Sequence, residues 1–134
     1  MVAKIVNLNW DTEKSFILSD KDGYEFPMKP KGVSASDLLP LALIGCASHD
    51  IVEILGKQKQ DLRELQVSAE STQDDDPPWR FRKIHIHYKA VGKGIDAEKL
   101  RKAILISEEK YCSVYNTLKD AVEITHDSEV VEAE

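Results

Sequence analysis

The residues of this chain best suited to chemistry are its two cysteines, Cys46 and Cys112, which lie 66 positions apart. A thiolate is a nucleophile and a metal ligand, and a pair of thiols can cycle between dithiol and disulfide. Cys46 sits in the apolar run Leu41-Ala42-Leu43-Ile44-Gly45-Cys46-Ala47, and Cys112 in Tyr111-Cys112-Ser113-Val114. Residue type alone leaves two readings open, because a cysteine inside an apolar helix is more often a small inert hydrophobe than a nucleophile. Cys46 also lies about three turns into its expected helix, beyond the first turn over which the helix dipole acts. Activity at Cys46 therefore calls for a neighbouring cation, whereas Cys112, at an expected helix start, has the more favourable local field.

Other candidate constellations are weaker. His85-x-His87 puts two imidazoles on one strand face, but zinc takes at least three protein ligands, and His49 and His126 are not at ligand spacing from the pair. A solvated strand face accounts for it. The run Asp74-Asp75-Asp76-Pro77-Pro78 reads as a solvated loop, since a hard cation needs further oxygen ligands at loop spacing. The sequence has no glycine-rich phosphate loop and no G-x-S-x-G nucleophile elbow. No metal and no cofactor is expected.

The elements that must position the cysteines can be read from the pattern. Residues 2–10, Lys14 to Leu18 and Tyr24-Glu25-Phe26 read as three strands, and Asp20-Lys21-Asp22-Gly23 as a turn between the last two, forming a small antiparallel meander. Pro27 and Pro30 end its pairing. Ser34-Ala35-Ser36-Asp37 has the form of a capping box ahead of a helix over Leu38 to Leu55, closed by Gly56. Apolar all round from Leu38 to Ala47, that helix should be covered on every side, if necessary by a second subunit. It reads as too short and too flanked by charge to span a bilayer. Pro40 should cost it a hydrogen bond and bend its axis. Strands follow over Leu62 to Thr72 and Arg80 to Val91, the latter with Ile84, Ile86 and Tyr88 on one face and His85, His87 and Lys89 on the other. Asp96 caps a second helix carrying Leu100, Ala103 and Ile104 on one face, a short third helix runs from Cys112 to Leu118, and a last strand spans Ala121 to Thr125.

The 134 residues suit one α+β domain, with the acidic stretch 127–134 expected to fray. Apolar residues make up 42% and charged residues 31%, the balance of an ordinary globular protein. A net charge of −6 argues against a nucleic-acid partner, and no basic stripe points to a membrane surface. Residues 1–7 lack the apolar run of a signal peptide or membrane span, and two cysteines in such a domain suit a reducing compartment, so the cytoplasm is expected.

Two segments carry a family resemblance. Ser34-Ala35-Ser36-Asp37-Leu38-Leu39-Pro40-Leu41-Ala42-Leu43-Ile44-Gly45-Cys46 resembles the S-P-x-E-L-L-L-A-A-L-A-G-C helix of the OsmC/Ohr family, and Ser107-Glu108-Glu109-Lys110-Tyr111-Cys112-Ser113-Val114 resembles its second-cysteine motif. Ile84-His85-Ile86-His87-Tyr88, Gly92 and Ile104 fit the family's order between them, so that the resemblance covers roughly residues 30–125. It implies an OsmC-like fold, with antiparallel sheets around a central apolar helix in an intertwined homodimer. It also implies a peroxidase that reduces organic hydroperoxides at the expense of a dithiol, with Cys46 peroxidatic and Cys112 resolving. The family pairs its peroxidatic cysteine with an amino-terminal arginine and a glutamate about ten residues upstream. This chain has no arginine before Arg63, and Ser36 stands ten residues before Cys46. Lys29 or Lys31 and Asp37 are the substitutes at hand, although lysine lacks arginine's planar fork. That departure leaves an alternative open, a slow redox-sensing or hydrophobic-ligand-binding module on the same scaffold.

Overall fold

Polar and apolar residues alternate through the amino-terminal segment, and in the computed structural model, which describes residues 1–134, this segment folds as the expected antiparallel meander. Strand β1 (Asn7–Asp11) pairs with β2 (Ser15–Ser19), and β2 with β3 (Glu25–Pro27). The first strand begins at Asn7 rather than Val2. Short polar side chains close both turns, as expected of residues that hydrogen-bond their own backbone a few positions on. Asp11 accepts the amides of Glu13 and Lys14 at 2.9 and 2.6 Å, and Asp20 those of Asp22 and Tyr24, both at 2.9 Å. Gly23 supplies the positive φ of 88° in the second turn, a conformation that costs glycine little. Residues 1–39 form one of two compact units, and residues 40–134 the other.

The capping box expected at Ser34 does not form. Ser34 instead opens a single 3-10 turn (Ala35–Asp37) with no side-chain cap, its hydroxyl lying 3.3 Å from that of Ser36. The Asp37 amide donates to the Ser34 carbonyl at 3.1 Å, so the backbone itself closes the turn and the Asp37 carboxylate stays exposed.

Helix α1 (Leu38–Lys57) follows directly. Pro40 is its third residue, in the first turn, where the amide has no partner within the helix. The expected loss of a hydrogen bond inside α1 therefore does not arise. Nor is α1 covered all round within one chain. Leu43, Ala47, Ile51 and Leu55, spaced i, i+4, are its buried stripe, while Leu41 and Val52 are 47% and 49% exposed. The sequence reading also takes this helix as too short for a membrane, but with the preceding turn the stretch Ala35–Lys57 is long and apolar enough to cross one. Its buried stripe joins a protein core instead, packed with Ile84, Ile86, Tyr88 and Ala90 and with Leu100, Ala103 and Ile104.

The second sheet has the order β4 (Asp61–Gln73), β5 (Phe81–Lys93), β6 (Glu123–Glu132). Central strand β5 buries Ile84, Ile86, Tyr88 and Ala90 on one face, the alternation its sequence predicts. Antiparallel sheets were the expectation, and β4 and β5 are antiparallel, but β6 runs parallel to β5. The chain reaches β6 through a helical crossover, and a connection of that length returns a strand in parallel. The crossover comprises α2 (Ala97–Ile106), a π-helical turn (Ser107–Tyr111) and α3 (Ser113–Leu118). Asp96 caps α2 as expected, accepting the Glu98 amide at 2.9 Å.

Strand β6 continues well past Thr125, through the acidic stretch expected to fray. Two histidines explain this. Asp127 and Glu129 accept from the two ring nitrogens of His87 at 2.7 and 2.8 Å, and His85 Nδ1 lies 2.7 Å from Thr125 Oγ1. The His85–His87 face is thus a half-exposed hydrogen-bonded surface between neighbouring strands.

Candidate active site

The apolar stripe of α1 and the core-facing side of the crossover bring Cys46 and Cys112 together. Cys46 is half-buried on α1, and Cys112 is 0% exposed in the short link between the π-helical turn and α3. Asp50, one turn after Cys46, lies on the same side of α1. The two sulfurs and a carboxylate oxygen of Asp50 all lie within 4.8 Å of one another. The Asp50 carboxylate is held from behind: Ser107 Oγ, itself 0% exposed, donates to Oδ2 at 2.9 Å. The link carrying Cys112 is pinned by backbone and side chain alike. Its amide donates to the Ser107 carbonyl at 2.8 Å, and Asn116 Nδ2 donates to the carbonyls of Glu108 and Cys112 at 2.8 and 2.9 Å.

The electrostatics reverse the expectation about which thiol has the better field. For Cys46, burial pushes the pKa up. The amide of Val114, the Cys112 thiol, and the hydroxyl and amide of Ser113 outweigh it, so the Cys46 pKa lies below the ordinary thiol value. Its sulfur is 4.0 Å from Ser113 Oγ. None of these groups is a cation. Neutral donors from the start of α3 act in the direction that the sequence reading asked of a positive charge. For Cys112, burial dominates and, with the neighbouring Cys46 and Asp50, pushes the thiol up to about 11, against the Tyr115 amide that donates to its sulfur at 3.4 Å. One sulfur is therefore accessible and ionisable, and the other is buried and protonated. With a pKa of about 11, Cys112 is thiolate in less than roughly one molecule in a thousand at about pH 7.5. Brief treatment of the reduced protein with iodoacetamide at that pH is expected to label Cys46 and spare Cys112, as read by peptide mapping. Equal labelling would contradict this assignment.

Cys46 and Cys112 are the sequence-predicted residues that the structure brings into one site. Lys29, Lys31 and Asp37 lie in the amino-terminal unit. The Lys29 amide donates to the Val33 carbonyl at 2.8 Å, and Lys31 Nζ donates to the Glu13 carbonyl at 2.8 Å. Asp50, Ser107 and Ser113 were missed by sequence reasoning. Asp50 carried a signal as the carboxylate at i+4 from Cys46 on one helix, and Ser107 and Ser113 lie within the second-cysteine motif.

Beside Asp50 opens a cavity of about 380 Å³ lined by Ile54, Ile106 and Tyr111 and by the polar Glu53 and Lys57. Within the π-helical turn, Glu108 Oε1 lies 2.9 Å from His126 Nδ1 in a largely buried pair. The Glu108 hydrogen bond raises the His126 pKa above its ordinary 6.5, against the opposing effect of burial. A raised folded-state pKa stabilises the fold below 6.5 and loses that contribution as pH climbs through the folded value. Glu108→Gln is accordingly expected to destabilise the protein by roughly 1–2 kcal/mol more at about pH 5.5 than at about pH 9, measured by urea unfolding. A cost independent of pH would show that the pair carries no charge.

A meander, a long apolar helix bearing one cysteine, and a sheet crossed by helices that present a second make an α+β protein of OsmC-like architecture. The chain belongs to the OsmC-like protein family, whose sequence profile it matches over residues 28–127. The resemblance read from the two cysteine motifs is thereby borne out. Protein YhfA of Escherichia coli K12 is 32% identical over 130 residues, covering 94% of this chain and 97% of that protein. A hypothetical protein from Aquifex aeolicus VF5 superimposes with a TM-score of 0.87 at 27% identity, covering 100% of both chains. The organic hydroperoxide resistance protein OhrB of Bacillus subtilis shares the fold at a TM-score of 0.61 and 14% identity, covering 96% of this chain and 98% of its own.

Proposed function

We propose that this protein is a thiol-dependent peroxidase that reduces organic hydroperoxides in the cytoplasm, working as a homodimer. The observation that carries the reading is the unlike pair of thiols: a half-buried, ionisable Cys46 within 4.8 Å of a buried, protonated Cys112. The Cys46 thiolate attacks the outer oxygen of the hydroperoxide. An S–O bond forms, the O–O bond breaks, and the alkoxide leaves as an alcohol after taking a proton, with Cys46 as sulfenic acid. Cys112 then attacks the Cys46 sulfur, joining the two as a disulfide and expelling water. An external dithiol restores both thiols by exchange. A disulfide has its sulfurs about 2.05 Å apart, so closure requires the Cys112 link to move toward α1.

Two further features support the reading. The cavity at Asp50, with its Ile54, Ile106 and Tyr111 walls, suits the alkyl or aryl part of an organic hydroperoxide better than hydrogen peroxide. The exposed Leu41 and Val52 on α1 are the apolar surface a second copy would cover. Lys29, Lys31 and Asp37 are then candidates for activating partners within the dimer. The test is consumption of cumene hydroperoxide sustained by a dithiol reductant. Multiple turnovers per chain are expected, and consumption no faster than the reductant alone would refute the proposal.

A further inference from the structure

We infer that Cys46, Asp50 and Cys112 together form a site for a soft divalent cation, of the zinc and cadmium class, when both cysteines are reduced. The donor set is one zinc accepts. Two thiolates and a carboxylate make three protein ligands, the number found in sites that keep a fourth position for water. The geometry is close to what such an ion requires. Zinc bonds of about 2.3 Å to sulfur and 2.0–2.2 Å to oxygen place tetrahedral ligand atoms roughly 3.5–3.8 Å apart. The three atoms here already lie within 4.8 Å of one another, so a contraction of about 1 Å suffices. Cys46 and Asp50 come from successive turns of one helix and Cys112 from the segment facing them, so the donors converge from two sides.

The surroundings are those of a ligand site rather than of a chance cluster. Ser107 Oγ, fully buried, holds one oxygen of Asp50 at 2.9 Å and leaves the other free to turn toward the sulfurs. The Tyr115 amide donates to the Cys112 sulfur at 3.4 Å, and the Ser113 hydroxyl lies 4.0 Å from the Cys46 sulfur. Such donors orient first-ring ligands and tune their basicity. Without an ion, two thiols and a carboxylate share a partly buried space. A dication would displace the thiol protons into solvent and offset two of the three negative charges of the two thiolates and the carboxylate, leaving a bis-thiolate complex with one net negative charge and no change of oxidation state. Bound metal would occupy the Cys46 lone pair that attacks peroxide, and disulfide formation would remove two ligands at once. Metal occupancy and peroxide turnover would therefore exclude each other.

Cobalt(II), titrated anaerobically into the reduced full-length chain, tests this directly. One equivalent is expected to produce thiolate-to-cobalt charge-transfer absorption and the intense visible bands of a four-coordinate ion, both bleached by added zinc. Cys46→Ser and Cys112→Ser should each remove much of the charge-transfer intensity. Asp50→Asn should weaken binding at least about tenfold, and Ser107→Ala about 10- to 100-fold, with the circular dichroism of each variant unchanged. If the buried Cys112→Ser chain does not fold, Asp50→Asn carries the test. Absence of charge-transfer bands, or bands that persist unaltered in the Asp50→Asn and Ser107→Ala variants, would overturn the inference. Because metal uptake is read without peroxide, failure here with turnover intact removes the metal site alone, and the opposite result removes the peroxidase alone.

Discussion

Serine at position 46 is expected to slow organic hydroperoxide consumption on the order of a thousandfold or more, the scale seen when a nucleophile is removed from an enzyme that depends on it. The reasoning is local. A hydroxyl in place of the Cys46 thiol would stay protonated near neutral pH, and the amide and hydroxyl groups that favour its anion are too weak to change that. Cys112 cannot take over, because it is 0% exposed and its thiol is pushed up to about 11. Steady-state consumption with a dithiol reductant, wild type against Cys46→Ser, reads the effect. Residual activity within tenfold of wild type would place the chemistry elsewhere. Cys112→Ser should differ in kind, completing the first reduction and accumulating a Cys46 sulfenic acid that dimedone traps.

The second large effect concerns the helix that carries the site. Ile51→Ala is expected to cost roughly 2–5 kcal/mol, since Ile51 is 0% exposed within the core stripe of α1 and its loss leaves a cavity against the second sheet. Against a typical total of about 5–15 kcal/mol this is a large fraction, visible as a lower urea midpoint. Its neighbour Val52, 49% exposed in one chain, offers the contrast. Were α1 uncovered in solution, Val52→Ala would cost less than about 0.5 kcal/mol at every protein concentration. If a second copy covers that face, the Val52→Ala cost instead grows with protein concentration, as linkage to dimerisation requires, and sedimentation equilibrium reports the weakened dimer.

Much of this molecule can be read from its sequence where a local rule and the tertiary fold agree. The Asp20–Gly23 turn, the alternation of Ile84, Ile86 and Tyr88, and the Asp96 cap each depend on neighbours in sequence, and each is present. The misreadings share a different character. Pro40 looked disruptive because the sequence does not mark the register of the first turn, and a proline there costs nothing that it would cost one turn later. The acidic stretch after His126 looked like a solvated tail because its partners, His85 and His87, are some forty residues upstream on a strand brought alongside in parallel. At the site, the cysteine pair was legible through its two motifs, but the source of its reactivity was not. Attention to charge pointed upstream, to Lys29, Lys31 and Asp37, while the groups that touch the Cys46 sulfur within residues 40–134 include backbone amides and the Ser113 hydroxyl from the first turn of α3, a helix the sequence foretells without showing that it meets Cys46. Asp50 was the exception, readable from helical spacing alone once a partner for Cys46 was sought downstream as well as upstream.

The central claim is that Cys46 and Cys112 act as one redox unit, and peptide mapping after a single equivalent of organic hydroperoxide tests it most directly. Reduced protein is mixed with cumene hydroperoxide, denatured in excess N-ethylmaleimide to block the remaining thiols, digested without reductant and analysed by mass spectrometry. The account predicts a disulfide joining the Cys46 and Cys112 peptides within each chain, stoichiometric with peroxide consumed, and a sulfenic acid at Cys46 in the Cys112→Ser protein. Recovery of both cysteines as free thiols with the peroxide intact, or oxidation that begins at Cys112, would contradict it.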